Sequence, residues 1–160
     1  MKEEINGFYA GAFDPFTIGH LEIIKKCAKV FDKVFIGIGC NSEKKRKTNE
    51  NKMKIAIEET LNQIDINNVQ VIMYSGVTSD IAKEYNCNVL IRGLRNSIDY
   101  QYEEDIANVN EKCFGLDTCY FRAGELGYIS SSMVMELYKY NKEIETLVPE
   151  AVYKLLMEEK

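Results

Sequence analysis

The segment Phe8-Tyr-Ala-Gly-Ala-Phe-Asp-Pro-Phe-Thr-Ile-Gly-His20 concentrates the groups that a phosphate-handling site needs. Gly11 and Gly19 allow backbone to approach an anion closely, and the amides that open a helix offer donors together with a favourable dipole. His20, the single histidine of the chain, ends the segment and would stand at the N-terminal end of such a helix. As a hydrogen-bond donor it can stabilise charge developing on a transferring phosphoryl group, the dominant demand of that chemistry. A lone histidine is more often a cap or a half-buried side chain. Directly after Thr17-Ile18-Gly19, at a strand-to-helix turn, the functional reading outweighs the bland one.

Arg92-Gly93-Leu94-Arg95 holds two of the four arginines and follows an apolar run, so both guanidinium groups are expected at the carboxyl end of a strand, on the same edge as His20. Planar, multi-donor recognition of phosphate suits arginine better than the point charge of lysine; the alternative is two solvated charges. Ile129-Ser130-Ser131-Ser132 precedes a helix expected near Met133 and would supply hydroxyls and free amides, although serine there is ordinarily just an N-cap. Lys44-Lys45-Arg46-Lys47 is weaker still, since most such runs are solvated loop. Gly37-Ile-Gly-Cys-Asn-Ser42 opens like a dinucleotide fingerprint but lacks its last glycine or alanine, and is read as close backbone packing. No G-x-x-x-x-G-K-[ST] occurs, which excludes a P-loop.

These groups must be held by the alternation of short apolar runs with longer segments of helical period, the pattern of βαβ units around a parallel sheet. Strands are predicted near Ile5 to Ala10, Lys33 to Gly39, Val69 to Tyr74, Val89 to Ile91 and Thr118 to Phe121. Helices are predicted near Gly19 to Phe31, Asn51 to Gln63, Thr78 to Tyr85 and Tyr100 to Lys112, and the stripe Ile98, Tyr102, Ile106, Val109, Cys113 is expected to face the core. Ser130 to Tyr140 and Pro149 to Glu158 read as two more helices, with Pro149 suited to a first helical turn. The result is an α/β fold: a doubly wound, parallel five-stranded sheet of Rossmann-like form with a helical C-terminal tail. Glu43 to Asn51 is the expected mobile loop.

With 160 residues, 46% of them hydrophobic and 28% charged, the chain suits one domain over residues 1–160. A polar start and no apolar run of membrane length lead to the expectation of a soluble protein with no secretory signal and no membrane partner. Cys27, Cys40, Cys87, Cys113 and Cys119 are odd in number and form no C-x-x-C pair, as expected for reduced thiols in the cytoplasm. One histidine and no paired cysteines argue against a structural zinc site. The formal charge of -5 argues against a nucleic-acid partner and leaves a small polyanion, met by locally clustered positive groups.

Taken in order, Gly11-Ala-Phe-Asp-Pro-Phe-Thr-Ile-Gly-His20, Ile91-Arg-Gly-Leu-Arg95, Asp99-Tyr-Gln-Tyr-Glu103 and Ile129-Ser-Ser-Ser132 resemble the landmarks of the phosphopantetheine adenylyltransferase family, a likeness that covers nearly the whole chain. The resemblance implies attack of the 4′-phosphopantetheine phosphate on the α-phosphorus of MgATP, giving dephospho-coenzyme A and pyrophosphate in coenzyme A synthesis. It implies that His20, Lys44 and Arg95 are catalytic. Ala12, Lys44, Thr78 and Arg92 would contact the acceptor. Ala12, Phe13, His20, Gly93, Leu94, Arg95 and Glu103 would hold ATP, as would the run Leu126, Gly127, Tyr128, Ile129, Ser130, Ser131 and Ser132. No protein metal site is implied, magnesium arriving with ATP. A homohexamer and feedback binding of product or coenzyme A are also implied.

Ala12 stands where that family has serine or threonine, Leu126 where an aromatic or polar residue is frequent, and Met135 where a basic one is. Two competing readings follow. One is a sister nucleotidyltransferase, such as a cytidylyltransferase with another phosphate acceptor. The other is a nucleotide-binding regulator with reduced turnover, which Ala12 permits. A class I aminoacyl-tRNA synthetase uses a related G-H loop, but no length remains for tRNA-binding domains.

Overall fold

Neighbouring residues along the first strand, Phe8 and Tyr9, are both buried, and they enter different cores. A strand covered on both faces reads as a continuous apolar run for this reason. In the computed structural model, which describes residues 1–41 and 43–160, five such strands are β1 (Asn6–Gly11), β2 (Lys33–Gly39), β3 (Val69–Tyr74), β4 (Val89–Leu94) and β5 (Asp117–Arg122). They pair in parallel in the order β3-β2-β1-β4-β5. The larger core joins Tyr9, Ile36, Val71 and Ile91 to α1 (Ile18–Val30), α2 (Glu50–Gln63), α5 (Ser131–Lys139) and α6 (Glu150–Glu158). The smaller joins Phe8, Phe35, Ile72 and Leu90 to Ala82 of α3 (Thr78–Glu84), and α4 (Ser97–Phe114) lies beside it. The doubly wound sheet of the sequence reading is present, with its helical C-terminal tail.

From β1 the chain moves outward through β2 and β3, then crosses back to β4 on the other side. The crevice at the carboxyl ends of β1 and β4 is therefore the topological switch point, where open parallel sheets take their ligands. Close backbone packing accounts for Gly37, since a Cβ there would lie 2.4 Å from the Phe8 ring. Ser42, the last residue of the dinucleotide-like stretch, lies outside the described residues.

Two expectations need correction, and one element is additional. Strand β4 runs on through Arg92, Gly93 and Leu94, because its pairing with β5 continues to Leu94 opposite Arg122; Arg92 is thus a strand residue. Gly124–Tyr128 forms a 3₁₀ turn that the sequence did not suggest. The stripe on α4 faces outward: Ile98 is 80% exposed, Tyr102 67% and Val109 55%, and Cys113 is also exposed. The helix turns its polar face inward instead, where Glu103 meets Arg92, Glu104 accepts a hydrogen bond from the Tyr120 hydroxyl at 3.0 Å, and Asn110 accepts one from Ser79 at 2.7 Å.

The Glu43 to Asn51 stretch, expected to be mobile, is anchored in its second half. The Asp14 carboxylate accepts the Lys47 and Thr48 amides at 2.8 and 2.9 Å and the Thr48 hydroxyl at 2.7 Å, and Thr48 is buried. Asn49 then caps α2 by accepting the Lys52 amide at 3.0 Å. A cap of this kind contributes about 1 kcal/mol.

Candidate active site

Helix α1 begins at the rim of this crevice, with Thr17 as its N-cap. The Thr17 hydroxyl accepts the His20 amide at 3.3 Å, and His20 Nδ1 accepts the Thr17 amide at 3.0 Å, which closes a capping box with histidine in the place of the usual glutamate. That second bond assigns the tautomer. An Nδ1 that accepts carries no proton, so the hydrogen resides on Nε2. The ring is held against Phe16 at 5.5 Å in a stacked arrangement and against Phe13 at 5.0 Å edge-on. Burial first, and the Arg95 charge second, lower its pKa to about 4. At neutral pH, His20 is therefore a neutral, pre-oriented donor.

Around the same cavity, of about 280 Å³, stand Arg92, Gly93, Arg95, Ser130 and Ser131. Arg92 makes a two-pronged pair with Glu103, with Nε and Nη2 donating to the two carboxylate oxygens at 2.7 and 2.8 Å, while Nη1 donates to the Ala10 carbonyl at 3.1 Å. Hydrogen bonding to Glu103 raises the Arg92 pKa further, so its charge is permanent. Arg95 pairs with Asp99 one helical turn on, Nε to Oδ2 at 2.9 Å, and this bond holds the Asp99 carboxyl below its usual range. Ser130 accepts the Met133 amide as N-cap of α5, and the Ser131 hydroxyl donates to the Pro15 carbonyl at 2.7 Å, which ties α5 to the loop before His20.

Lys44, Ala12 and Thr78 line an adjoining depression that shares Gly11 with the first cavity. A third hollow, of about 260 Å³, also includes Thr78 and meets the first at Arg92 and Glu103, with Phe8, Leu90 and Ile106 among its walls. The residues singled out from the sequence thus divide between two neighbouring pockets, and Leu94, Leu126, Gly127, Tyr128 and Ser132 line neither. Phe13, His20, Gly93, Arg95 and Ile129 line the first. Gly127 packs against the Arg95 backbone, with 3.5 Å between its would-be Cβ and the Arg95 carbonyl. Tyr128 is exposed, Leu126 packs on the larger core, and Leu94 is half-buried at the end of β4. Ser132 faces a different groove, beside Lys47, and Met135 is buried in the core.

Three residues at or beside the cavity were given no role of their own from the sequence. Tyr9 lines the first cavity with its ring buried, and burial raises its pKa, which keeps the hydroxyl protonated. Asp99 is the internal partner of Arg95, and its i, i+4 spacing was a usable signal. Arg46 reaches the Ala12 and Phe13 carbonyls across 34 and 33 residues, and no local pattern announces such a contact.

A parallel α/β sheet with a helix-start histidine, strand-end arginines and serine hydroxyls around the cavity at its switch point defines a nucleotidyltransferase domain. In agreement, residues 8–137 match the profile of the Cytidylyltransferase-like family. A solved structure from Vibrio parahaemolyticus, provisionally named a nicotinate-nucleotide adenylyltransferase, shares the fold with a TM-score of 0.69 over 98% of this chain and 94% of its own, at 14% identity. Two curated relatives are named phosphopantetheine adenylyltransferase. The protein from Flavobacterium johnsoniae is 41% identical over 90% of this chain and 94% of its own length. That from Lachnoclostridium phytofermentans is 39% identical over 94% and 92%. The chain belongs to the phosphopantetheine adenylyltransferase family.

Proposed function

We propose that this protein transfers the adenylyl group of MgATP to 4′-phosphopantetheine, releasing pyrophosphate and forming dephospho-coenzyme A. The observation that carries this reading is the His20 ring, held through Nδ1 by the Thr17 amide in a cavity that it shares with Arg92 and Arg95. The acceptor phosphate is already ionised, so it attacks the α-phosphorus without a general base; the bond from that phosphorus to the bridging oxygen breaks, and pyrophosphate carries the electron pair away. Catalysis is then in-line positioning plus charge neutralisation. His20 donates to an oxygen of the transferring phosphoryl group, Arg95 with Ser130 and Ser131 at the start of α5 holds the triphosphate, and Lys44 with Arg92 steers the acceptor phosphate.

The hollow walled by Phe8, Leu90 and Ile106 suits the less polar arm of the acceptor, with Thr78 at its edge. No cluster of three or more histidine, cysteine, aspartate or glutamate side chains that could hold a metal occurs among the described residues. Asp99 and Glu103 are engaged by arginines. In this reading magnesium enters with the nucleotide substrate. Purified protein with MgATP and 4′-phosphopantetheine should release pyrophosphate. Release with CTP alone would favour the sister transferase, and ATP binding without release from any pantetheine acceptor would favour the regulator.

Ala12 is exposed beside Lys44 and brings no hydroxyl to the acceptor side. One hydrogen bond to a charged group is worth about 1.5–3 kcal/mol. Ala12→Thr should therefore raise kcat/KM for the acceptor by about tenfold; an unchanged or lower value in the pyrophosphate assay means that another donor already serves.

The outward apolar face of α4, Ile98 with Tyr102 and Val109, supports a homo-oligomer, and we propose the hexamer of the family resemblance. Sedimentation of the wild type against Tyr102→Asp checks this: a multimer should become smaller species. A single domain over residues 1–160, a cytoplasmic site of action, no nucleic-acid partner and feedback binding of coenzyme A complete the reading. No helix among the described residues is long and apolar enough to cross a membrane.

A further inference from the structure

Arg46 sits behind the loop that joins β1 to α1, with its side chain 14% exposed. Its Nη1 donates to the Ala12 carbonyl at 2.6 Å and its Nη2 to the Phe13 carbonyl at 3.4 Å. Nε donates to the Thr48 carbonyl at 3.1 Å, and the guanidinium lies 3.9 Å from both the Asp14 and Glu50 carboxylates. Five contacts of this kind fix a long side chain in one place.

The Ala12–Phe13 and Phe13–Asp14 peptides are trans, and in a trans peptide the carbonyl and the N–H point in opposite directions. Drawing the two carbonyls toward Arg46 turns the Phe13 and Asp14 N–H groups the other way. Neither of these donors is bonded to another group among the described residues. Phe13 adopts φ 47°, a left-handed conformation that a bulky residue holds only when its surroundings impose it. Successive amides brought together by a left-handed residue form an anion-binding nest. A positive charge on the carbonyl side also polarises both peptides, which strengthens the opposite N–H groups as donors.

We propose that Arg46 is a positioning residue that presents the Phe13 and Asp14 amides to the substrate phosphates. The inference rests on the phosphate reading of the cavity given above. The competing role is simple tethering of the lysine-bearing loop, a task to which the shorter Asp14–Thr48 bonds also contribute. Thr48→Val serves as the control: it removes the 2.7 Å hydroxyl bond to Asp14 and only the long 3.5 Å contact from Arg46 Nη2, and leaves both Arg46-bound loop carbonyls in place.

The test is calorimetric titration of the wild type, Arg46→Met, Arg46→Lys and Thr48→Val with inorganic pyrophosphate and, separately, with adenosine. Arg46→Met should weaken pyrophosphate binding at least tenfold and leave adenosine, which has no phosphate, within twofold. Arg46→Lys keeps the charge but cannot span both carbonyls, so it should fall between. Thr48→Val should melt earlier yet bind pyrophosphate as the wild type does. Equal losses for adenosine and pyrophosphate, wild-type pyrophosphate affinity in Arg46→Met, or a loss in Thr48→Val as large as in Arg46→Met would each overturn the inference. If Arg46→Met does not fold, Arg46→Lys decides: a selective loss of at least threefold for pyrophosphate supports the role, and none refutes it. A wild type that binds both ligands but makes no dephospho-coenzyme A would refute the acceptor assignment alone, whereas one that binds no pyrophosphate would refute both.

Discussion

His20→Ala is expected to slow pyrophosphate release about a thousandfold while the protein stays folded. Removing one pre-oriented donor from a developing phosphoryl charge costs about 10²–10³ in kcat, and His20 has the two properties that place it at the upper end: a fixed tautomer and a neutral ring inside the cavity. The alanine variant also loses the reciprocal half of the capping box, worth about 1 kcal/mol. His20→Gln separates the two effects. Glutamine at this helical position can still accept the Thr17 amide, so its melting temperature should stay near that of the wild type while the rate stays low. A glutamine or alanine variant within tenfold of wild-type kcat would remove His20 from the mechanism.

The same ring makes a second, thermodynamic forecast. Its pKa is about 4 in the folded protein and about 6.5 when unfolded. Between those values the unfolded chain binds a proton that the folded chain does not, so stability rises with pH across this window and is lost as pH falls from about 6.5 towards 4. The drop in melting temperature from pH 7 to pH 5 should be smaller in His20→Gln than in the wild type.

Why some of this was legible and some was not follows from what a local pattern can encode. Strands buried on both faces announce themselves as apolar runs, and His20 directly after Thr17-Ile18-Gly19 places a side chain at a helix start, so the sheet and the turn that carries His20 could be read directly. Periodicity reports that α4 has an apolar face, but not which way it points. The inward face was claimed instead by Glu103, because Arg92 beside the cavity needs a counterion more than the sheet needs another leucine. Arg46 lay hidden in a lysine-rich run that composition alone assigns to solvent, since its partners are fixed only by the return of the chain to the β1 rim.

The pair of Arg92 with Glu103 allows stability and activity to be pulled apart. Glu103 is 8% exposed, and its two oxygens are both used by Arg92, whose side chain is 35% exposed where it opens to the cavity. Removing Arg92 leaves the buried Glu103 carboxylate unpaired, a loss of about 3 kcal/mol at the low end for a buried pair, whereas removing Glu103 leaves a guanidinium that water still reaches and costs less. For a chain of this length the first loss corresponds to about 6–12 °C in Tm. Arg92→Met should show it, and Glu103→Leu a smaller loss. The double variant removes both charges and fills the space with apolar atoms, an exchange that is often neutral, so it should regain most of the lost stability. Its activity should not follow. With no guanidinium between the two cavities, kcat/KM for the acceptor should remain at least a hundredfold below wild type, while KM for ATP changes far less. A double variant that recovers both melting temperature and turnover would mean that Arg92 is only a structural ion and that the acceptor phosphate is held elsewhere.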